Sequence, residues 1–203
     1  MTHADSVESF LNAAVAANGP VDVLVNNAGL ARGTEKIAEG TGEAWREMIE
    51  TNVLGLLEVT RRVLPHMTEH SGGHVVVIGS IAGHKAYVGG GVYCGSKRAL
   101  QPICEAIRME TLGQNIRVTS VDPGMVDTEF SVVRFRGDEE KAKGVYQGTR
   151  PLVAADVADG RRAEHAPLVA RLELAVEDDA HPRGGLALLH ADVDELVERG
   201  VEA

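Results

Sequence analysis

Tyr93 and Lys97 stand four residues apart. On a helix that spacing puts a phenol and an ammonium one turn apart on the same face. A cation beside a phenol favours the phenolate, so the pair predicts an acid/base titrating well below a phenol's ordinary pKa of about 10. Ser80 lies thirteen residues earlier, just past an apolar run, where a hydroxyl can hold a substrate oxygen beside the phenol. Asn26-Asn27-Ala28-Gly29 closes an earlier apolar run, and Asn52, an amide with four hydrogen-bonding sites, interrupts an apolar helical stripe. Taken singly, each has a plain structural account: a solvated helix face, a loop serine, a turn, a satisfied core amide. Their strength comes from occurring together.

Those residues need elements to position them, and the hydrophobic pattern supplies an alternation. Val7, Phe10, Leu11, Ala14 and Val15 predict an amphipathic helix over 5–18, with Asp5 and Glu8 as a capping box and Gly19-Pro20 as the stop. Val21 to Val25 is a short β-branched run ended by the Asn-Asn-Ala-Gly turn. A polar loop leads to a helix over 42–70 whose inward stripe is Trp45, Met48, Ile49, Asn52, Val53, Leu56, Thr60, Val63 and Leu64. His74 to Ile78 is a second strand, Gly79 to Gly91 a Gly-rich loop, Tyr93 to Thr111 a third helix and Ile116 to Val121 a third strand. Strands that are continuous apolar runs between helices predict an α/β fold, with a parallel sheet covered on both faces. Ligands of such sheets bind at the carboxyl ends of the strands, where Asn26 and Ser80 fall. Residues 122–150 read as a long loop or lid. Beyond it, helices are possible at 153–159 and 190–199, with apolar pieces at 168–176 and 185–189.

Composition narrows the function classes. The chain has 203 residues, 44% hydrophobic and 25% charged, with a formal charge of -10. That balance is globular, and an acidic surface with scattered Lys and Arg is a poor partner for nucleic acid or anionic lipid. No apolar run approaches the ~20 residues of a membrane helix; Val53 to Leu57 and Val75 to Ile78 are core-sized. A polar stretch follows Met1, so no secretory signal is expected. Cys94 and Cys104 make no disulfide framework, which suits a reducing cytoplasm. His66, His70 and His74 have ligand-like spacing, but no Glu follows His66, and surface histidines are expected with no metal. Ser80 lacks the Gly two residues before it that a hydrolase nucleophile elbow needs.

In order along the chain, Asn26-Asn27-Ala28-Gly29, Asn52, Ser80, Tyr93-x-x-x-Lys97 and Pro123-Gly124 resemble the short-chain dehydrogenase/reductase family, from about residue 5 to residue 157. The resemblance implies a Rossmann-like doubly wound fold and hydride transfer between NADP (or NAD) and a carbonyl/alcohol pair. Tyr93 would be the acid/base, and Lys97 would lower its pKa and hold the nicotinamide ribose. Ser80 would polarise the substrate oxygen, and Asn52 would hold a water that relays protons from Lys97. Asn26, Ala28 and Gly29 would line the adenosine side of the cofactor; Pro123, Gly124, Val126 and Thr128 would meet the nicotinamide. Tyr87 and Tyr146 lack a Lys four residues on and are not expected at the site. The family also implies a homo-oligomer, dimer or tetramer, packed through the helices at 42–70 and 93–111. The stretch from Glu129 to Asp138, continuing to Tyr146-Gln147, resembles the substrate loop of NADP-dependent 3-hydroxy acid dehydrogenases, a subgroup that includes serine dehydrogenases. Arg134 or Arg136 would then meet a substrate carboxylate as a bidentate pair; two solvated loop arginines are the plain account.

The chain departs from that family pattern at both ends. No Thr-Gly-x-x-x-Gly-x-Gly turn is present, so the expected fold is a partial doubly wound sheet lacking the first βαβαβ half. Residues 1–159 read as the C-terminal part of the family domain and 160–203 as a divergent tail, native or from a shifted reading frame. Met1 to Val7 looks like the interior of a longer motif, which suggests a start codon placed late. The run Val21 to Val25 is expected to be an exposed sheet edge, and the 203-residue chain is expected to bind nicotinamide cofactors poorly. The alternative function is an inactive remnant that serves as a binding or dimerisation module.

Overall fold

The computed structural model describes residues 3–159 and 171–174. Helix α1 (Ala4–Asn18) leads to strand β1 (Val23–Asn26) and helix α2 (Gly42–Ile49). A π-helical turn (Glu50–Gly55) joins α2 to α3 (Leu56–Glu69), so the single helix expected over 42–70 is continuous with a widened turn inside it. Strand β2 (Gly73–Ile78), a 3₁₀ turn (Ile81–Gly83), α4 (Gly91–Arg98), α5 (Leu100–Glu110) and β3 (Ile116–Asp122) follow. The helix expected over 93–111 is thus divided at Ala99. Pro102, in the first turn of α5, has no N–H to continue the α4 ladder.

The expected loop over 122–150 is partly structured. It carries β4 (Val126–Asp127), α6 (Phe130–Arg134) and α7 (Glu139–Gly144), then β5 (Leu152–Val153) and α8 (Ala154–Asp159). These pieces are too short for any hydrophobic period to show. Asp138 caps α7 by accepting from the Lys141 N–H at 3.1 Å. Strand β6 (Arg171–Leu174) falls within the apolar piece at 168–176; the pieces expected at 185–189 and 190–199 lie outside the described residues.

The main sheet has the order β1-β2-β3-β6. β1, β2 and β3 are parallel, while β6 runs antiparallel to β3. Among the described residues β1 is an edge strand, as expected. Parallel register aligns Leu24, Val75 and Val118 on one face, and that face carries the core. Leu56, Val59, Val63 and Met67 of α3 and Leu100, Cys104 and Ile107 of α5 pack on it, with Val7 and Leu11 of α1. These helical positions recur every three or four residues, the period of one buried stripe. Each fully buried Val, Leu or Met contributes roughly 1.5–3 kcal/mol.

The expectation of a sheet covered on both faces is corrected. Among the described residues the core lies on one side, and Val23 and Val25 on the other are 56% and 54% exposed. Their β-branched run reads as buried because sequence shows apolarity and not which helices arrive. Ile49 is also exposed, where a buried position was expected. The capping box is absent as well: His3 is the N-cap of α1, and Asp5 sits inside the first turn, where its charge meets the helix dipole. No helix of the described residues is long and apolar enough to cross a membrane.

One turn fixes how α3 hands over to β2. Ser71 and Gly72 both have positive φ, 80° and 102°. The Gly72 N–H donates to the Met67 carbonyl at 2.8 Å, closing the helix. A Cβ on Gly72 would stand 2.1 Å from the backbone oxygen of Asn115. Gly72→Ala is therefore expected to cost about 2–3 kcal/mol, through positive-φ strain plus displacement of a backbone that cannot yield. Chemical denaturation of the two proteins reads that difference as a fall in midpoint.

Candidate active site

Parallel strands end on the same edge, and the carboxyl ends of β1, β2 and β3 bring Asn26, Ser80 and Asp122-Pro123 to one rim. α4 crosses this rim and supplies Tyr93 and Lys97 from successive turns.

Asn52 sits in the π-helical turn, a feature often found at functional sites. It is fully buried and its amide is committed. Its Oδ1 accepts from the Leu30 N–H at 2.8 Å, and its Nδ2 donates to the Leu30 carbonyl at 2.8 Å and to Ser96 Oγ at 2.9 Å. The Ser96 hydroxyl in turn donates to the Tyr93 carbonyl at 2.7 Å. Asn52 therefore pins the loop after Asn-Asn-Ala-Gly to the helix that carries Tyr93. Gly29 lies against the same group: a Cβ there would be 3.3 Å from both Asn52 Oδ1 and Lys97 Nζ.

Lys97 is 7% exposed, and its Nζ donates to the Ile78 carbonyl at 2.8 Å. Burial pushes its pKa down to about 8, with the Asp122 carboxylate opposing the fall. The Ser80 hydroxyl accepts from the Ala82 N–H at 3.1 Å, starting the 3₁₀ turn, and lies near enough to Tyr93 to draw its pKa down.

The phenol departs from expectation. Burial pushes the Tyr93 pKa up to about 12, against the downward pull of Ser80 and the more distant Arg134 charge. Lys97 does not produce the expected depression, because its ammonium is turned to the Ile78 carbonyl. A helical spacing places two groups on one face, but it does not show which partner a flexible ammonium takes. In this arrangement the Tyr93 phenol keeps its proton at neutral pH.

Next to Tyr93 is a cavity of about 300 Å³, lined by Arg32, Trp45, Met48, Val92, Tyr93 and Arg134 among others. Arg134 is 8% exposed. Its Nε donates to the Gly33 carbonyl at 2.7 Å, while the Gly33 N–H donates to the Arg134 carbonyl at 3.1 Å. The guanidinium lies 5.8 Å from the ring centres of both Tyr87 and Phe135, within cation–π range. Its terminal nitrogens make no hydrogen bond to the described residues. Arg136 is different: it is 55% exposed at the side chain and pairs with Glu47 at 3.3 Å and Glu43 at 3.7 Å. The structure thus separates two arginines that are equivalent in sequence.

Arg32 and Glu47 escaped sequence reading. They form an ion pair, and Arg32 also donates to the Val133 carbonyl. Hydrogen bonding from Arg32 holds the Glu47 carboxyl below the usual range. Contacts across a hundred residues leave no local signal.

Asn26 is buried, its Nδ2 donates to Thr60 Oγ1 at 3.0 Å, and its Oδ1 has no partner among the described residues. Ala28 is exposed, and Pro123 is buried with its carbonyl accepting from the Ile81 N–H at 3.2 Å. Gly124 is half-buried beside it. The Val126 carbonyl accepts from the Tyr146 hydroxyl at 3.0 Å, and Thr128 Oγ1 accepts from the Phe130 N–H at 3.3 Å. Tyr146 is thereby a strut of this segment, and Tyr87 stacks near Arg134. The His66 and His70 rings stack at 6.5 Å, while His74 turns to Thr119. Among the described residues no group of three or more side chains could hold a metal ion.

Comparison with known proteins fits this geometry. The family model for short chain dehydrogenases matches residues 1–139. The chain belongs to that family. It is 50% identical over 139 residues to a Schizosaccharomyces pombe NADP-dependent 3-hydroxy acid dehydrogenase, covering 68% of this chain and 54% of the relative. It is 39% identical over 159 residues to an Agrobacterium fabrum serine 3-dehydrogenase, covering 78% and 64%. The closed form of a serine dehydrogenase complexed with NADP+ superposes with a TM-score of 0.75 at 42% identity, again covering 78% of this chain and 64% of that one. The chain therefore spans between about half and two thirds of the length of these relatives. Within this short chain dehydrogenase, the matched region holds Asn52, Ser80, Tyr93, Lys97 and Arg134.

Proposed function

We propose that this chain carries the proton-transfer and substrate-binding half of an NADP-dependent oxidoreductase that interconverts 3-hydroxy acids and their 3-oxo counterparts. The observation that carries this reading is Arg134. A buried guanidinium with free terminal nitrogens shares a cavity with the Tyr93 phenol, and such a group selects a carboxylate. Two relatives named for 3-hydroxy acids and serine support the same substrate class.

The residues present fit a nicotinamide cofactor at the strand ends. Asn26 keeps a buried oxygen without a partner, and the bare Cα of Gly29 leaves open the approach to Lys97 Nζ and Asn52. Asn26, Ala28 and Gly29 would hold the adenosine side; Lys97, with Tyr93, the nicotinamide ribose; and Pro123, Gly124, Val126 and Thr128 the nicotinamide end. The bound cofactor supplies or accepts a hydride. The chain's own residues handle the proton: Tyr93 O–H passes it to the carbonyl oxygen during reduction, and that oxygen becomes the alcohol. Ser80 holds the same oxygen beside the phenol. Asn52 keeps α4 in register with the loop at Leu30, and from that fixed position would hold the water that relays protons from Lys97.

Loss of NADPH absorbance in the presence of paired carbonyl compounds tests the reading. A 3-oxo acid is expected to be reduced at least tenfold faster than its uncharged methyl ketone analogue, the scale of one charge-assisted hydrogen bond. Turnover of uncharged carbonyls alone removes the carboxylate assignment, and no turnover of either class favours a binding module.

A further inference from the structure

Asp122 ends β3 and is 3% exposed. Its Oδ1 accepts from Ser120 Oγ at 2.9 Å and its Oδ2 meets His84 Nε2 at 2.7 Å. The Gln101 amide nitrogen stands 2.8 Å from His84 Nδ1. The same nitrogen stands 3.0 Å from His84 Nε2, so the amide lies against the ring edge that faces the carboxylate. Gln101, His84 and Asp122 thus form one part-buried polar chain.

That carboxylate lies against the tip of β2. A Cβ on Gly79 would be 1.7 Å from Asp122 Oδ1, so the carboxylate packs directly on the Gly79 backbone. Lys97 Nζ donates to the carbonyl of Ile78, one residue earlier. Two buried groups of opposite charge therefore flank one peptide, and Ser80 follows it. The other ionisable groups around them are His84 from the 3₁₀ turn, Tyr93 one turn back on α4, and Arg98, whose guanidinium donates to the Gly83 carbonyl at 3.3 Å.

We propose that Asp122 is a positioning residue: it is the buried counter-charge that holds the Lys97 ammonium charged and in place, supported by His84 and Gln101. Burial alone drives Lys97 toward the neutral amine, and Asp122 is the charge that opposes it. Only the significance of Lys97 for turnover rests on the proposed function; the electrostatic coupling does not.

The test follows the side-chain carbon resonance of Lys97 with pH, in protein carrying [ε-13C]lysine. The chain has five lysines, and Lys97→Met identifies the signal. Wild-type Lys97 is expected to be protonated at neutral pH. In Asp122→Asn its midpoint is expected to fall by about one pH unit, the low end of what a neighbouring opposite charge does, with the other lysines unmoved. His84→Gln keeps a donor to the carboxylate and is expected to leave the Lys97 midpoint in place. A wild-type Lys97 already neutral at neutral pH overturns the proposal whether or not Asp122→Asn folds. So does an unchanged midpoint in folded Asp122→Asn, or a midpoint in His84→Gln that falls as far as in Asp122→Asn. Turnover enters none of these readings, so an inactive protein would defeat the proposed function and leave this result standing.

Discussion

Tyr93→Phe is expected to lower kcat/KM for carbonyl reduction by about 10²–10⁴-fold, the usual contribution of one positioned general acid. The phenyl ring keeps the contact with Phe130, whose ring centre is 5.7 Å away, so packing at the site is preserved. Only the proton is lost, and KM should change little. A second reading needs no turnover. The phenol is held near 12 in the folded protein against an ordinary 10, because burial disfavours the phenolate. A group whose folded pKa is raised stabilises the fold fully below its unfolded pKa and loses that contribution as pH climbs through the folded value. Wild-type stability is therefore expected to decline between pH 10 and pH 12 more steeply than that of Tyr93→Phe. Phenolate absorbance should show one of the three tyrosines ionising late, and its absence in the variant. Equal kcat/KM in the two proteins would falsify the acid role outright.

The proposed site residues were legible because their chemistry is tied to short spacings and to strand ends. Tyr93 and Lys97 are one turn apart on a helix, and Ser80 and the Asn-Asn-Ala-Gly turn close apolar runs. Asn52 stood out as an amide on an apolar stripe, and the structure shows it spending its hydrogen bonds on Leu30 and Ser96. Three things were not legible, each for a physical reason. The direction of the Tyr93 shift depends on burial and on where the Lys97 ammonium points, neither of which a spacing encodes. The one-sided core depends on which helices reach each face, so Val23 and Val25 read as buried from their β-branched character alone. The support of the site depends on distant pairs: Arg134 with Gly33, Arg32 with Val133 and His84 with Asp122.

Arg134→Met should act on one substrate class and spare the other. A carboxylate brought beside Tyr93 without its guanidinium partner is buried and unpaired, a loss of about 2–5 kcal/mol for a hydrogen-bonded charge pair. At 1.4 kcal/mol per tenfold this corresponds to a fall of roughly 30- to 3000-fold in kcat/KM for 3-hydroxy acids. An uncharged alcohol makes no such pair and should be turned over within a few-fold of the wild-type rate. Methionine keeps much of the side-chain volume between Tyr87 and Phe135, but it cannot donate to the Gly33 carbonyl. Arg134→Lys therefore serves as the companion: it retains a charge and loses the planar fork. Its expected loss on 3-hydroxy acids is intermediate, because a lysine meets a carboxylate as a point charge rather than through two parallel bonds. If both variants lost the two substrate classes equally, Arg134 would be acting through the Gly33 loop and not on a carboxylate. Arg136→Met supplies the contrast, since its guanidinium already faces Glu47 and Glu43 at the surface. It is expected to leave both substrate classes unchanged.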